Sequence, residues 1–181
     1  MLAFHSCLIA ATRDPDLWST PSAPGVVAAL QAYVTAHHPQ LETQSLALPA
    51  RLEEANWGSL WQQWQQLPVG LLSYPGSIAD PVGSRQTLAD VAADWGIPII
   101  LTIPAERWAM AQVNAYAALV RQSGAVLRGL IMLSHSPDQE LPSDIQGIPV
   151  LGSLDLGRGT EEELLQQARD WDWEWLSTDL S

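Results

Sequence analysis

The 181-residue chain contains no lysine, since all eight of its basic residues are arginines. This excludes chemistry that needs a lysine amine, including Schiff-base formation and phosphate binding by the lysine of a nucleotide loop. Twenty acidic residues bring the net charge to −12. Because a field of this sign repels phosphate backbones and anionic membranes, we expect no nucleic-acid partner and no membrane partner.

Cysteine is almost absent, and long apolar runs are missing. A single cysteine, Cys7, excludes an intrachain disulfide and a cysteine zinc cluster, and its apolar neighbours predict a buried strand residue. No run reaches the length of a membrane span, and the amino terminus lacks the basic region of a signal peptide. We therefore expect a cytoplasmic protein. The apolar fraction of 47 % is typical of a globular chain, and its length predicts one domain over residues 1–181.

Strand and helix patterns alternate along the chain. Apolar segments predict strands at residues 7–10, 45–48, 69–72, 97–103, 127–133 and 150–151. Apolar residues at helical spacing predict helices at residues 26–34, 56–67, 87–95 and 106–122, and a last helix opened by Thr160 with Glu163. Residues 20–25 and 135–147 are loops by composition. This alternation predicts a doubly wound, mostly parallel sheet with helices on both faces.

Few side chains form a pattern typical of catalysis. No third ligand at suitable spacing accompanies the histidines, so we predict no metal site at His5, His37, His38 or His135. The acidic residues considered as acid/base groups are Asp80, Asp90, Asp94 and Glu106; the spacing of Asp90 and Asp94 is typical of a solvated helix face. The Ser73 and Ser77 pair lacks the Gly-x-Ser-x-Gly pattern of serine hydrolases.

Tryptophan is abundant, with nine residues. Trp57, Trp61 and Trp64 share one helix face, which either packs on the sheet or forms an interface with a partner. Trp171, Trp173 and Trp175 alternate near the carboxyl terminus. That segment continues the last helix, extends as an edge strand or docks on a partner, and the sequence leaves these three possibilities open.

Between residues 71 and 152 a set of segments follows in a characteristic order. A strand leads into a glycine turn at residues 71–77, and Asp80-Pro81-Val82 precedes the predicted helix TLADVA. Then follow the strand segments IPIILT and GLIMLS and the segment IPVLG. This order resembles the second half of dethiobiotin synthetase, an ATP-dependent ligase of biotin synthesis, and the resemblance implies a P-loop NTPase-like fold and a homodimer.

This chain does not keep the sequence of that family's nucleotide loop. The family pattern GTDTGVGKT falls on residues 11–19, which read ATRDPDLWS. Ala11 replaces a glycine, Trp18 replaces the lysine, and only Thr12 and Ser19 stay similar. The loop needs glycines to point its N–H groups at phosphate, and Pro15 removes one such donor. Two aspartates flank Pro15 there, Asp14 and Asp16, and they offset the nearby Arg13.

Two further positions that the resemblance assigns to nucleotide binding are also altered. The acidic magnesium ligand falls on Ser73, and the asparagine that contacts adenine falls on Ser134. Together with the loop residues, these positions make up a vestigial nucleotide site. We therefore expect no bound cofactor, and ATP with Mg²⁺ only if the chain is an active ligase.

Three functional hypotheses follow. The first is a non-catalytic relative of dethiobiotin synthetase that acts by protein interaction or regulation, through surfaces such as Trp57, Trp61 and Trp64. The second is a divergent ATP-dependent ligase of biotin biosynthesis. The third is a small-metabolite binder that uses the vestigial cleft.

Overall fold

A computed structural model describes residues 6–11, 22–105, 107–134, 142–155, 161–169 and 171. The strands are β1 (Cys7–Ala11), β2 (Thr43–Ala47), β3 (Val69–Tyr74), β4 (Ile99–Pro104), β5 (Leu127–Ser134), β6 (Asp144–Ile145) and β7 (Ile148–Asp155). The helices are α1 (Ser22–His37), α2 (Trp57–Trp64), α3 (Leu88–Asp94), α4 (Arg107–Ser123) and α5 (Glu161–Ala168), and a short 3₁₀ helix spans Leu52–Glu54.

The strands form one seven-stranded sheet in the order β2-β3-β1-β4-β5-β7-β6. Every neighbouring pair is parallel except β6 and β7, which are antiparallel. Strands β1, β4 and β5 are the most central, and all six residues of β3 and of β4 are buried. Their unbroken burial requires cover on both faces of the sheet.

Helices provide that cover from opposite sides. Helices α1 and α5 pack on one face, in a hydrophobic cluster that includes Leu30, Ile100 and Ala168. Helices α2, α3 and α4 pack on the other face, in a cluster that includes Ala92 and Val113. The predicted doubly wound, mostly parallel α/β fold is thereby confirmed.

The predicted end of two helices is confirmed at the glycines that follow them. Gly96 after α3 and Gly124 after α4 have φ values of +65° and +82°. This left-handed conformation favours glycine, because a Cβ atom there is strained.

The prediction of a loop over residues 20–25 is wrong from Ser22 onward, because α1 begins there. Pro24 is tolerated, since an N–H in the first helical turn has no partner within the helix. The loop predicted over residues 135–147 contains the two-residue strand β6, which turns back into β7. Gln146 and Gly147 form this turn with φ values of 58° and 79°, and the Gly147 N–H donates to Asp144 Oδ1 at 3.0 Å.

The last strand is longer than the two residues predicted. Strand β7 spans Ile148–Asp155 and pairs with β5 up to Asp155. Its polar and glycine residues obscure the apolar pattern, but backbone hydrogen bonds to a neighbouring strand do not require apolar side chains.

Candidate functional site

The connections of the sheet diverge at the carboxyl ends of β1 and β4. These strands are neighbours, with Ala10 opposite Leu101 and Ala11 opposite Thr102. The helix after β1 packs on one face of the sheet, and the helix after β4 packs on the other. A crevice at such a switch point is where open α/β sheets bind ligands. We therefore take the carboxyl edge of β1, β3, β4 and β5 as the candidate site.

Buried hydroxyl groups occupy the strand ends at this edge. Ser73 on β3 and Ser134 on β5 are each 5 % exposed, and Thr102 on β4 is 1 % exposed. The Thr102 hydroxyl donates to the carbonyl of Ala10 at 3.3 Å, which joins β4 to β1. The structure thus places Ser73 and Ser134 at the same edge of the sheet, with Ser73 next to β1 through its register partner Ile9.

The loop that follows β3 is held by Asp80. Its Oδ2 atom accepts hydrogen bonds from the Tyr74 hydroxyl at 2.8 Å and from the Ser77 N–H at 3.1 Å. A Cβ atom on Gly76 would lie 2.5 Å from that same oxygen, so this position requires glycine. We assign Asp80 to holding the loop closed. The sequence pattern did not indicate this role for Tyr74; its only signal was an aromatic residue just before Pro75-Gly76.

Asp90 and Asp94 are not equivalent, contrary to the interpretation of both as a solvated face. The Asp90 carboxylate accepts hydrogen bonds from the N–H of Thr87 at 2.7 Å and from its hydroxyl at 2.8 Å, which holds the start of α3. Asp94 is exposed and accepts a hydrogen bond from the Gln86 side chain at 3.2 Å. Glu106 lies outside the described residues.

The segment that leaves β1 carries the predicted vestigial loop. Of that loop, the structure describes the backbone of Ala11, the last residue of β1. The other predicted loop residues lie outside the described part of the chain, namely Thr12, Arg13, Asp14, Trp18 and Ser19. That this loop has lost its nucleotide-binding residues therefore stays a prediction from the sequence.

The three tryptophans predicted to share one helix face are buried to different extents. Trp64 is 8 % exposed and packs over Gly70 of β3. Trp57 and Trp61 are half-buried and contact Trp95, with ring centroids 5.9 Å and 4.9 Å apart. Trp64 thus belongs to the core of this chain, whereas Trp57 and Trp61 stay predicted interface residues.

One tryptophan of the carboxyl-terminal segment packs on the sheet of its own chain. Trp171 is 5 % exposed, and its indole N–H donates to the carbonyl of Ser153 on β7 at 2.9 Å. The ring lies against Gly152, where any Cβ atom would clash with it. Trp173 and Trp175 lie outside the described residues.

Within the described ranges, no group of three or more His, Cys, Asp or Glu side chains is placed to hold a metal ion. His38 follows the end of α1, where its N–H donates to the Val34 carbonyl at 2.7 Å and its ring lies 6.3 Å from that of Tyr33. His5 and His135 lie outside those ranges. No helix in the described part of the chain is long and apolar enough to cross a membrane.

Two polar side chains have buried atoms that the sequence pattern did not predict. Arg128 occupies an irregular position in the pairing of β5 with β4, and its Nε and Nη2 atoms are buried without a hydrogen-bond partner among the described residues. Gln167 on α5 accepts a hydrogen bond from the Asp155 N–H at 2.6 Å, while its Nε2 atom is buried and has no partner within the same ranges. Nothing in the local sequence pattern distinguishes these residues from solvated ones.

Comparison with known proteins gives consistent matches. A family model described as an AAA domain matches residues 75–163. An ATP-dependent dethiobiotin synthetase of Synechocystis sp. is 32 % identical over 124 residues, which cover 61 % of this chain and 52 % of that protein. The enzyme of the same name from Crocosphaera subtropica is 31 % identical over 124 residues, which cover 68 % of this chain and 49 % of that protein. The chain therefore spans about half the length of these relatives.

Among solved structures, the solution structure of a de novo designed P-loop fold protein covers 92 % of this chain, and the chain covers 90 % of it. Its TM-score is 0.29 and its sequence identity is 14 %. A similarity this low supports no further statement.

Proposed function

Because this chain belongs to the dethiobiotin synthetase family, with its P-loop NTPase-like fold, we propose that it has lost the ATP site and acts by binding other proteins. The observation that carries the proposal is the serine at position 73. The resemblance assigns this position to the acidic magnesium ligand, and Ser73 is buried at the carboxyl end of β3 beside β1. A neutral hydroxyl does not replace the charge of a carboxylate toward a divalent cation.

The sequence of the predicted loop supports the same conclusion. Trp18 stands where the family has its phosphate-binding lysine, and the chain has no other lysine to take its place. Pro15 removes a backbone donor, and its neighbours Asp14 and Asp16 put negative charge where a polyphosphate binds. These changes affect separate requirements of nucleotide binding, so one compensating substitution does not restore it.

Isothermal titration with ATP and Mg²⁺ tests this proposal. Each lost charge-assisted contact costs about 1.5–3 kcal/mol, so we expect millimolar affinity or none. The single substitution Trp18→Lys should not restore binding, because the loop path and Ser73 stay unchanged. A dissociation constant in the low micromolar range for the unmodified chain would contradict the proposal.

The alternative is a divergent ATP-dependent ligase, and the names of the relatives favour it. Both relatives are named ATP-dependent dethiobiotin synthetases, at 31–32 % identity. Growth of a dethiobiotin-requiring bacterial strain that expresses this chain would establish the ligase. Absence of growth, with the chain shown to be folded and expressed, would favour the non-catalytic function.

A further inference from the structure

Strand β2 forms one edge of the sheet, because β3 is its only partner among the described strands. The Leu48 N–H, directly after β2, donates to the carbonyl of Ser73 at 2.8 Å. The backbone groups of alternate residues in a strand point to opposite sides. The N–H and C=O groups of Thr43, Ser45 and Ala47 therefore point away from β3.

The outer side of β2 is open with respect to the described residues. None of them forms a hydrogen bond with the outward backbone groups, and the side chains of Gln44, Ser45 and Ala47 are exposed. Proteins usually block such an edge with a charged residue, a proline or a bulge. Residues 43–48 contain no charged residue and no proline, and the pairing with β3 runs without a register shift. This edge can therefore accept another strand.

The surroundings of β2 in the sequence are acidic. Glu42 precedes the strand, and Glu53 and Glu54 follow it; all three side chains are exposed. Arg51 also follows β2, and its guanidinium lies 3.7 Å from the Glu54 carboxylate. Since the whole chain carries a charge of −12, a partner at this edge is favoured when it is positively charged.

We propose that the β2 edge binds an extended, lysine- or arginine-rich segment of another protein as an additional strand. Backbone hydrogen bonds to Thr43, Ser45 and Ala47 supply affinity that does not depend on the partner's side chains. The acidic residues on either side of β2 favour a basic segment at this edge over the β2 edge of a second copy, because pairing two such edges would bring like charges together. The inference names a kind of partner for the proposed function, but it depends on the open edge and not on the state of the ATP site.

The first experiment removes one outward backbone donor. A fluorescein-labelled peptide of alternating lysine and valine is titrated with the chain, and binding is followed by fluorescence anisotropy. Ser45→Pro deletes an N–H that points away from β3, so the β2–β3 hydrogen bonds remain. We expect Ser45→Pro to weaken binding about tenfold and the control Ser45→Ala to leave it unchanged, with both variants melting at the temperature of the unmodified chain.

The second experiment separates backbone recognition from charge. The same peptide with alternate backbone nitrogens methylated keeps its charge but loses its strand donors, so we expect it not to bind. The triple substitution Glu42→Gln, Glu53→Gln and Glu54→Gln should weaken binding of the unmethylated peptide severalfold, and added salt should have the same effect. Binding that survives both Ser45→Pro and methylation would overturn the proposal.

Sedimentation tests whether a second copy of this chain, instead of a basic segment, occupies the β2 edge. Self-association that Ser45→Pro abolishes, together with no binding of the basic peptide, would show that a second copy occupies the edge and would overturn the proposal. The ATP titration is independent of these results. If ATP binds while Ser45→Pro still weakens the peptide complex, the proposed loss of the ATP site fails and the β2 surface stands.

Discussion

Gly70 on β3 lies under the indole ring of Trp64, and this contact requires the absence of a side chain. A Cβ atom at position 70 would lie 2.7 Å from the ring, closer than such atoms approach one another. The contact brings α2 against the sheet and buries Trp64. A glycine in a buried strand is thus explained by what packs on it.

We predict that Gly70→Ala destabilises the chain by about 1–3 kcal/mol, because the indole must move within a packed core. The control is Gly58→Ala in α2, where the nearest heavy atom is Asn56 Oδ1 at 3.7 Å from the added Cβ. That substitution should be neutral or stabilise the chain by up to about 1 kcal/mol. Urea unfolding measures both, and equal effects would show that Trp64 does not press on β3.

Cys7 is fully buried at the start of β1, and burial raises the pKa of its thiol from 9.0 to about 12. The unfolded chain therefore loses this proton near pH 9, while the folded chain keeps it. Below about pH 9 this thiol does not change the free energy of unfolding. As the pH rises from about 9 toward about 12, the free energy of unfolding falls by about 1.4 kcal/mol per pH unit.

The measurement compares urea unfolding of the unmodified chain and Cys7→Ala from about pH 8 to about pH 11. Loss of packing lowers the stability of the variant by a constant amount. We expect the difference between the two proteins to shrink with rising pH, since the alanine variant lacks the thiol. Parallel pH profiles would contradict this assignment.

At the scale of elements, α3 depends on the residues that precede it. Thr87 and Asp90 form two hydrogen bonds at its start, and Gly96 ends it with a positive φ. The capping hydrogen bonds lie next to the loop closed by Asp80, whose carbonyl accepts from the Leu88 N–H at 3.0 Å. The start of α3 and the loop after β3 thus stabilise each other.

We predict that Asp90→Ala lowers the free energy of unfolding by about 1–2 kcal/mol, because both hydrogen bonds to Thr87 are lost. The matched control is Asp94→Ala, which removes the same charge from the same helix and should change stability by less than about 0.5 kcal/mol. Thermal or urea unfolding measures the difference. Equal losses for the two variants would indicate an effect of charge instead of capping.

At the scale of the whole molecule, we propose from the family resemblance that the chain forms a homodimer, with Trp57 and Trp61 in the interface. Sedimentation at micromolar concentration should then give about twice the monomer mass of 19.7 kDa. Trp61→Ala should shift the chain toward the monomer, because large aromatic residues supply much of the energy of an interface.

The control for the dimer is Gln62→Ala, which changes the exposed neighbour of Trp61. It should leave the mass unchanged. A monomer at all concentrations would contradict the dimer, and a dimer insensitive to Trp61→Ala would place the interface elsewhere.

The sequence by itself determined the local features of this protein. Alternating strand and helix patterns predicted the parallel sheet and its two covering layers, and Gly96 and Gly124 marked the ends of helices. The apolar neighbours of Cys7 predicted its burial. These properties depend on residues close together in the chain, so their signal is present in short windows of sequence.

Only the tertiary structure decided which distant residues meet. It placed Ser73 and Ser134 at one edge, Trp64 over Gly70, Trp171 against Gly152, and left β2 at the rim of the sheet. It also showed that Asp90 caps α3 whereas Asp94 is exposed, although the two residues look alike in the sequence. Strand order and long-range packing depend on how all the layers fit together, and no short segment of the chain carries that information.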